Sequence, residues 1–124
     1  MSLCVDLEGP EYEVECRCEC GHEHKVTRSE EFFWANITHN LGPMAQLGGF
    51  YQALWRPDER GWSRARDLIG PISEGLDAML SDPPKFKALD AKNGWGTYDD
   101  FLPWVRRYLD ACKAHPDALV RVSR

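Results

Sequence analysis

The spacing of apolar residues changes along this chain, and the change narrows the folds open to it. Between residues 11 and 26, Tyr12, Val14, Cys16, Cys18 and Cys20 share one parity, while Glu13, Glu15, Arg17 and Glu19 take the other. That alternation is the pattern of a half-buried strand. Gly21-His22 offers a turn and Lys25-Val26-Thr27 a return strand, with a shorter strand over residues 3–7 ahead of Gly9-Pro10.

After Phe32 the spacing becomes three and four. Ile37, Leu41, Met44 and Ala45 predict a helix over 37–47, with Asn36 as its N-cap and Gly48-Gly49 as its stop. Residues 50–57 read as an aromatic connector ended by Pro57. Ala65, Leu68, Ile69, Ile72, Leu76, Met79 and Leu80 form one helical stripe over 63–80, bent at Pro71. Asp82-Pro83-Pro84 ends it and opens a short helical piece over 85–89. Thr97 followed three residues later by Asp100 starts another helix, whose stripe is Tyr98, Phe101, Leu102, Val105, Tyr108, Leu109 and Cys112. Residues 118–122 form a last strand. The expected order is β-β-β-α-α-α-β, hence α+β: a small antiparallel sheet, made of the N-terminal hairpin and the C-terminal strand, packed against three to four helices.

With 124 residues, 43% of them apolar and 28% charged, the chain is one domain, 1–124. It divides into an acidic, Cys-rich hairpin region over 1–30, a helical body over 31–116 and a C-terminal strand over 117–124. No apolar run approaches the ~18 residues of a membrane helix, and the first residues lack a signal-peptide pattern. The expected location is the cytoplasm, with no membrane partner. Net charge is −5, and residues 1–31 carry nine acids against three bases. An acidic chain suits a phosphate backbone poorly, which argues against nucleic acid; one or two arginines still allow a small anionic ligand.

Four constellations could carry chemistry. Cys18, Cys20, His22 and His24 offer thiolate and imidazole, the donors zinc prefers. Residues two apart on a strand lie ~7 Å from each other, so the cysteines read first as small apolar residues on the inner face of a strand, with zinc as the alternative. Asn36, Thr38, His39 and Asn40 fall together at a helix start, where free N–H groups suit phosphate or carboxylate, although Asn36 and Thr38 also serve as plain caps. Trp55-Arg56 can stack on a flat ring and pair with an anion. In Asn93-Gly94-Trp95-Gly96-Thr97-Tyr98 the indole of Trp95 reads first as a plug of the core between two turn glycines, with Asn93 and Tyr98 as polar contacts. No nucleophile elbow, phosphate loop, paired-His motif or dinucleotide fingerprint occurs.

The runs Asn36-Ile37-Thr38-His39-Asn40-Leu41-Gly42-Pro43-Met44-Ala45, Ala53-Leu54-Trp55-Arg56-Pro57 and Asn93-Gly94-Trp95-Gly96-Thr97-Tyr98 resemble those of a family of small phage, prophage and bacterial proteins of about this length. The resemblance covers residues 30–124 and implies no assigned activity. By analogy of context it implies a protein that acts by binding, either blocking a host protein or sequestering a nucleotide signal of antiviral defence. The expectation is a non-enzymatic protein that captures an anionic, nucleotide-like ligand. Asn36, Thr38, His39 and Asn40 would donate to it, Arg56 would meet its phosphate, and Trp55, Trp95 or Tyr98 would stack. So small a chain would complete such a pocket as a homo-oligomer. The alternatives are an interaction module acting through the acidic hairpin and a zinc-stapled domain.

Overall fold

The computed structural model describes residues 2–17 and 23–124, with side chains described for 2–10 and 29–124. β1 (Ser2–Arg17) and β2 (Glu23–Thr38) form a long antiparallel hairpin. β3 (Leu119–Ser123) lies antiparallel to residues 4–8 of β1, so the sheet order is β2-β1-β3. Between β2 and β3 come five helices: α1 (Gly42–Leu47), α2 (Tyr51–Trp55), α3 (Ala65–Ser81), α4 (Pro83–Lys87) and α5 (Tyr98–Ala114). The expected α+β architecture, an antiparallel sheet under helices, is the one observed.

Alternation on β1 determines which face is covered. Leu3, Val5 and Leu7 are fully buried, and the residues between them belong to the other face. The buried face meets α3 and α5, whose inward stripes include Ala65, Leu68, Ile72 and Met79, and Phe101, Val105, Tyr108 and Cys112. Leu80, counted in the α3 stripe, is 45% exposed although Met79 beside it is fully buried, so it lies off the covered face. α3 runs uninterrupted through Pro71.

The sheet reaches further than its pattern suggested. The two expected N-terminal strands are one, and Gly9-Pro10 is absorbed by register shifts between Leu7 and Glu11. Leu7 faces Phe33 and Glu8 faces Glu31, which leaves Phe32 as the extra residue of a bulge. The bulge turns two consecutive rings toward α5: Phe33 stacks on Tyr108 at 5.8 Å and Phe32 on His115 at 4.3 Å. Gly9 permits this, since a Cβ there would stand 3.0 Å from the Phe32 ring.

The expected helix over 37–47 is also corrected. β2 continues to Thr38, with Ala35 and Ile37 opposite Val5 and Leu3. A 3-10 turn, His39–Leu41, follows, and α1 starts only at Gly42. Pairing with β1 holds residues 35–38 as strand, and Pro43 falls in the first turn of α1, where it is tolerated. Asn36 is therefore a strand residue, and Thr38 is the cap. The aromatic connector contains α2, which buries Ala53, Leu54 and Trp55.

On the outer sheet face, Asp6 carries a buried Oδ1 with no hydrogen-bond partner among the described residues. Burial, then the neighbouring Glu31 and Glu8, raise its pKa, and Arg121 offsets this in part. The folded state thus holds the Asp6 proton more tightly than the unfolded chain does. This group's contribution is most favourable in acid and is lost as pH rises from the ordinary aspartate range through the folded value. Asp6→Asn is expected to raise the melting temperature at pH 7 and to leave it nearly unchanged near pH 3. Equal effects at both pH values would contradict the assignment.

Candidate functional site

β2 delivers Asn36 and Thr38 to the end of the sheet, and the 3-10 turn places His39 and Asn40 immediately after them. The Thr38 hydroxyl accepts from the Asn40 N–H at 3.3 Å, which holds the turn. Asn40 in turn donates through Nδ2 to the Trp95 carbonyl at 2.8 Å, across 55 residues of chain. The loop around Trp95 is shaped from within: the Asn93 side-chain oxygen accepts from the Trp95 N–H at 2.9 Å. Gly94 and Gly96 take φ values of 78° and 116°, which L side chains rarely adopt. A Cβ on Gly96 would also stand 3.1 Å from both Asn40 and Thr38. Glycine there lets the loop lie directly on the turn.

This construction leaves the Trp95 ring 73% exposed. The structure departs here from the reading of Trp95 as a core plug, because its neighbours fix its backbone and leave most of the residue open to solvent. A hollow of about 730 Å³ is lined by Ser2, Asn36, Ile37, Thr38, His39, Asn40 and Trp95. The Asn36 carbonyl accepts from the Trp104 indole N–H at 3.0 Å, tying this strand end to α5.

His39 is oriented by a residue 16 positions on. The Trp55 indole N–H donates to His39 Nδ1 at 2.9 Å. Nδ1 is thereby an acceptor, and the proton of the neutral ring sits on Nε2. Trp55 is buried and stacks on Tyr51 at 5.2 Å. On this side His39 borders a second hollow of about 340 Å³, together with Gly42, Pro43, Gln46, Tyr51, Trp55, Arg56 and Arg124. Tyr51 is the main cause holding the Arg56 pKa above its ordinary value, opposed by slight desolvation and aided by Glu59 and Asp58. Arg124 donates through Nη1 to the Trp55 carbonyl at 2.9 Å.

Of the residues singled out from sequence, Asn36, Thr38, His39, Asn40 and Trp95 line the first hollow, while Trp55 and Arg56 join His39 around the second. Two lie elsewhere. Asn93 shapes the loop, and Tyr98 is buried, with its hydroxyl donating to the Met79 carbonyl at 2.8 Å. Sequence reading missed Ser2, Gln46, Tyr51 and Arg124. Tyr51 and Gln46 carry a faint signal, the three-and-four spacing of short helices; Arg124 carries none, because strand pairing alone brings it to Trp55.

Cys18, Cys20 and His22 lie outside the described residues. His24 is on β2 opposite Cys16, and its side chain is likewise outside them. Among the described residues no group of three His, Cys, Asp or Glu side chains is placed to hold a metal. Cys112 is buried, and burial pushes its thiol up to about 12, which leaves it protonated and unreactive at neutral pH. No described helix is long and apolar enough to cross a membrane. Neither a protein-family model, a curated protein nor a solved structure matches the chain.

Proposed function

We propose that the chain binds a small anionic, nucleotide-like molecule across the two hollows that meet at His39. One observation carries the reading: two segments distant in sequence, residues 36–40 and the Trp95 loop, converge on one hollow, and His39 joins it to a second that contains arginine. Trp95 presents an exposed ring on a backbone already held by Asn40 and Asn93, so little order is lost when a flat heterocycle stacks on it. Asn36 and the Oδ1 of Asn40 supply amide contacts for the edge of such a ring. Nε2 of His39 donates toward the ligand.

Stacking of a base on an aromatic ring is worth about 1–3 kcal/mol. Trp95→Ala is therefore expected to weaken binding roughly 5- to 150-fold, with little change in melting temperature because the ring is exposed. Thermal-shift and calorimetric titration of wild type and variant against a panel of nucleotides tests this. A panel in which no member binds the wild type, or in which Trp95→Ala binds equally well, overturns the proposal.

A further inference from the structure

Resting on that reading, we infer that Arg56 and Arg124 together form a subsite for a phosphate monoester dianion, so that the ligand carries a terminal phosphate at the end away from Trp95. The two guanidinium groups reach the same hollow from segments far apart in the chain. Arg56 follows directly on α2, and Arg124 follows β3, which is seated by its ladder with β1. Both flank Trp55, whose ring and carbonyl fix the floor between them. Gln46 and Tyr51 add neutral hydrogen-bonding groups to the same wall.

Each arginine has an acidic neighbour, and these decide whether an anion can enter. Arg56 stands 3.5 Å from Glu59, with side chains 42% and 47% exposed; Arg124 stands 3.3 Å from Asp58, with 39% and 69% exposed. Pairs this open to water are weak, so they orient the guanidinium groups without sealing them. The bonds of Arg124 to Trp55 and Asp58 both leave through Nη1. Among the described residues Nε and Nη2 of Arg124 make no other bond, and they can grip an oxyanion in the forked geometry that suits phosphate. A carboxylate would satisfy one such fork, whereas the terminal oxygens of a monoester can engage both guanidinium groups at once. The neighbouring hollow, with Trp95 and the two asparagines, then receives the uncharged remainder of the molecule.

The test is calorimetric titration of the full chain with the common nucleoside 5′-monophosphates, the matching nucleosides and inorganic phosphate. The monophosphate that binds tightest is expected to exceed its nucleoside at least tenfold. Arg56→Ala and Arg124→Ala are each expected to abolish that preference while leaving the nucleoside affinity unchanged. Arg124 also touches the Trp55 carbonyl, so melting curves accompany both variants, and Arg56→Ala decides the matter if Arg124→Ala unfolds. A nucleoside that binds as tightly as its monophosphate, with both affinities lost in Trp95→Ala, overturns the phosphate subsite and keeps the ring-binding reading. Inorganic phosphate binding as tightly as the nucleotide overturns the joined ligand. Absence of all binding overturns both.

Discussion

Replacing Gly75 with alanine is expected to destabilise the protein, although the same change in an open helix usually stabilises. Gly75 lies within α3, where alanine gains roughly 0.5–1 kcal/mol over glycine through backbone entropy. Here a Cβ would fall 2.2 Å from Cδ1 and 2.4 Å from Cγ of Phe50. That ring cannot move aside easily. It is 1% exposed, stacks on Phe101 at 5.8 Å, and on another side would meet a Cβ on Gly48 at 2.5 Å. Two glycines thus make the slot in which Phe50 sits. Overpacking of this kind costs about 1–3 kcal/mol, or roughly 3–6 °C of melting temperature per kcal/mol for a chain of this size. Gly75→Ala should therefore lower the melting temperature. If it melts higher than wild type, the packing of Phe50 against α3 is wrong.

Trp55→Phe is the second large change. The substitution keeps an aromatic ring over Tyr51 but deletes the indole N–H that donates to His39 Nδ1 at 2.9 Å. It also shrinks a side chain that is only 3% exposed. A lost buried bond and a small cavity together cost about 1–3 kcal/mol. The sharper readout is the imidazole itself. In the wild type the Trp55 bond keeps the neutral ring protonated on Nε2, whereas in Trp55→Phe both tautomers become populated. The nitrogen-15 shifts of His39, measured by NMR on the neutral ring, report this directly. Unchanged shifts would sink the claim that Trp55 orients His39, and with it the ring's role as a donor fixed toward the ligand.

Much of the fold could be read from local pattern. The stripes of α3 and α5 were legible because both helices bury one face and expose the other. The hairpin and β3 were legible because strand alternation survives wherever one face is covered. Most of the misread backbone falls between residues 32 and 57. There Phe33, Ala35 and Ile37 alternate with Trp34 and Asn36, a strand signal, yet Phe32 breaks its parity and Ile37, Leu41 and Met44 imitate a helix. Pairing with Leu3, Val5 and Leu7 settles that conflict, and it depends on residues some thirty positions away.

The candidate site divides along the same line. Asn36, Thr38, His39 and Asn40 follow from an expected helix start, which the structure replaces with a strand end and a 3-10 turn, and Trp95 follows from its turn glycines; both signals are properties of short segments. That Trp95 faces solvent, that Tyr98 does not, and that Arg124 belongs beside Arg56 are properties of chain crossings.

By itself, then, the amino-acid sequence determined the α+β class, the inward stripes of α3 and α5, and the short segments that hold the polar and aromatic groups. These are encoded in period and in local backbone freedom, which act over a few residues. Tertiary structure alone decided how far β2 runs, which ring of the Trp95 loop is buried, and which arginine joins His39. Each of those depends on a contact between residues far apart in the chain, such as Asn40 with Trp95 or Arg124 with Trp55, and no local pattern carries the free energy of such a contact.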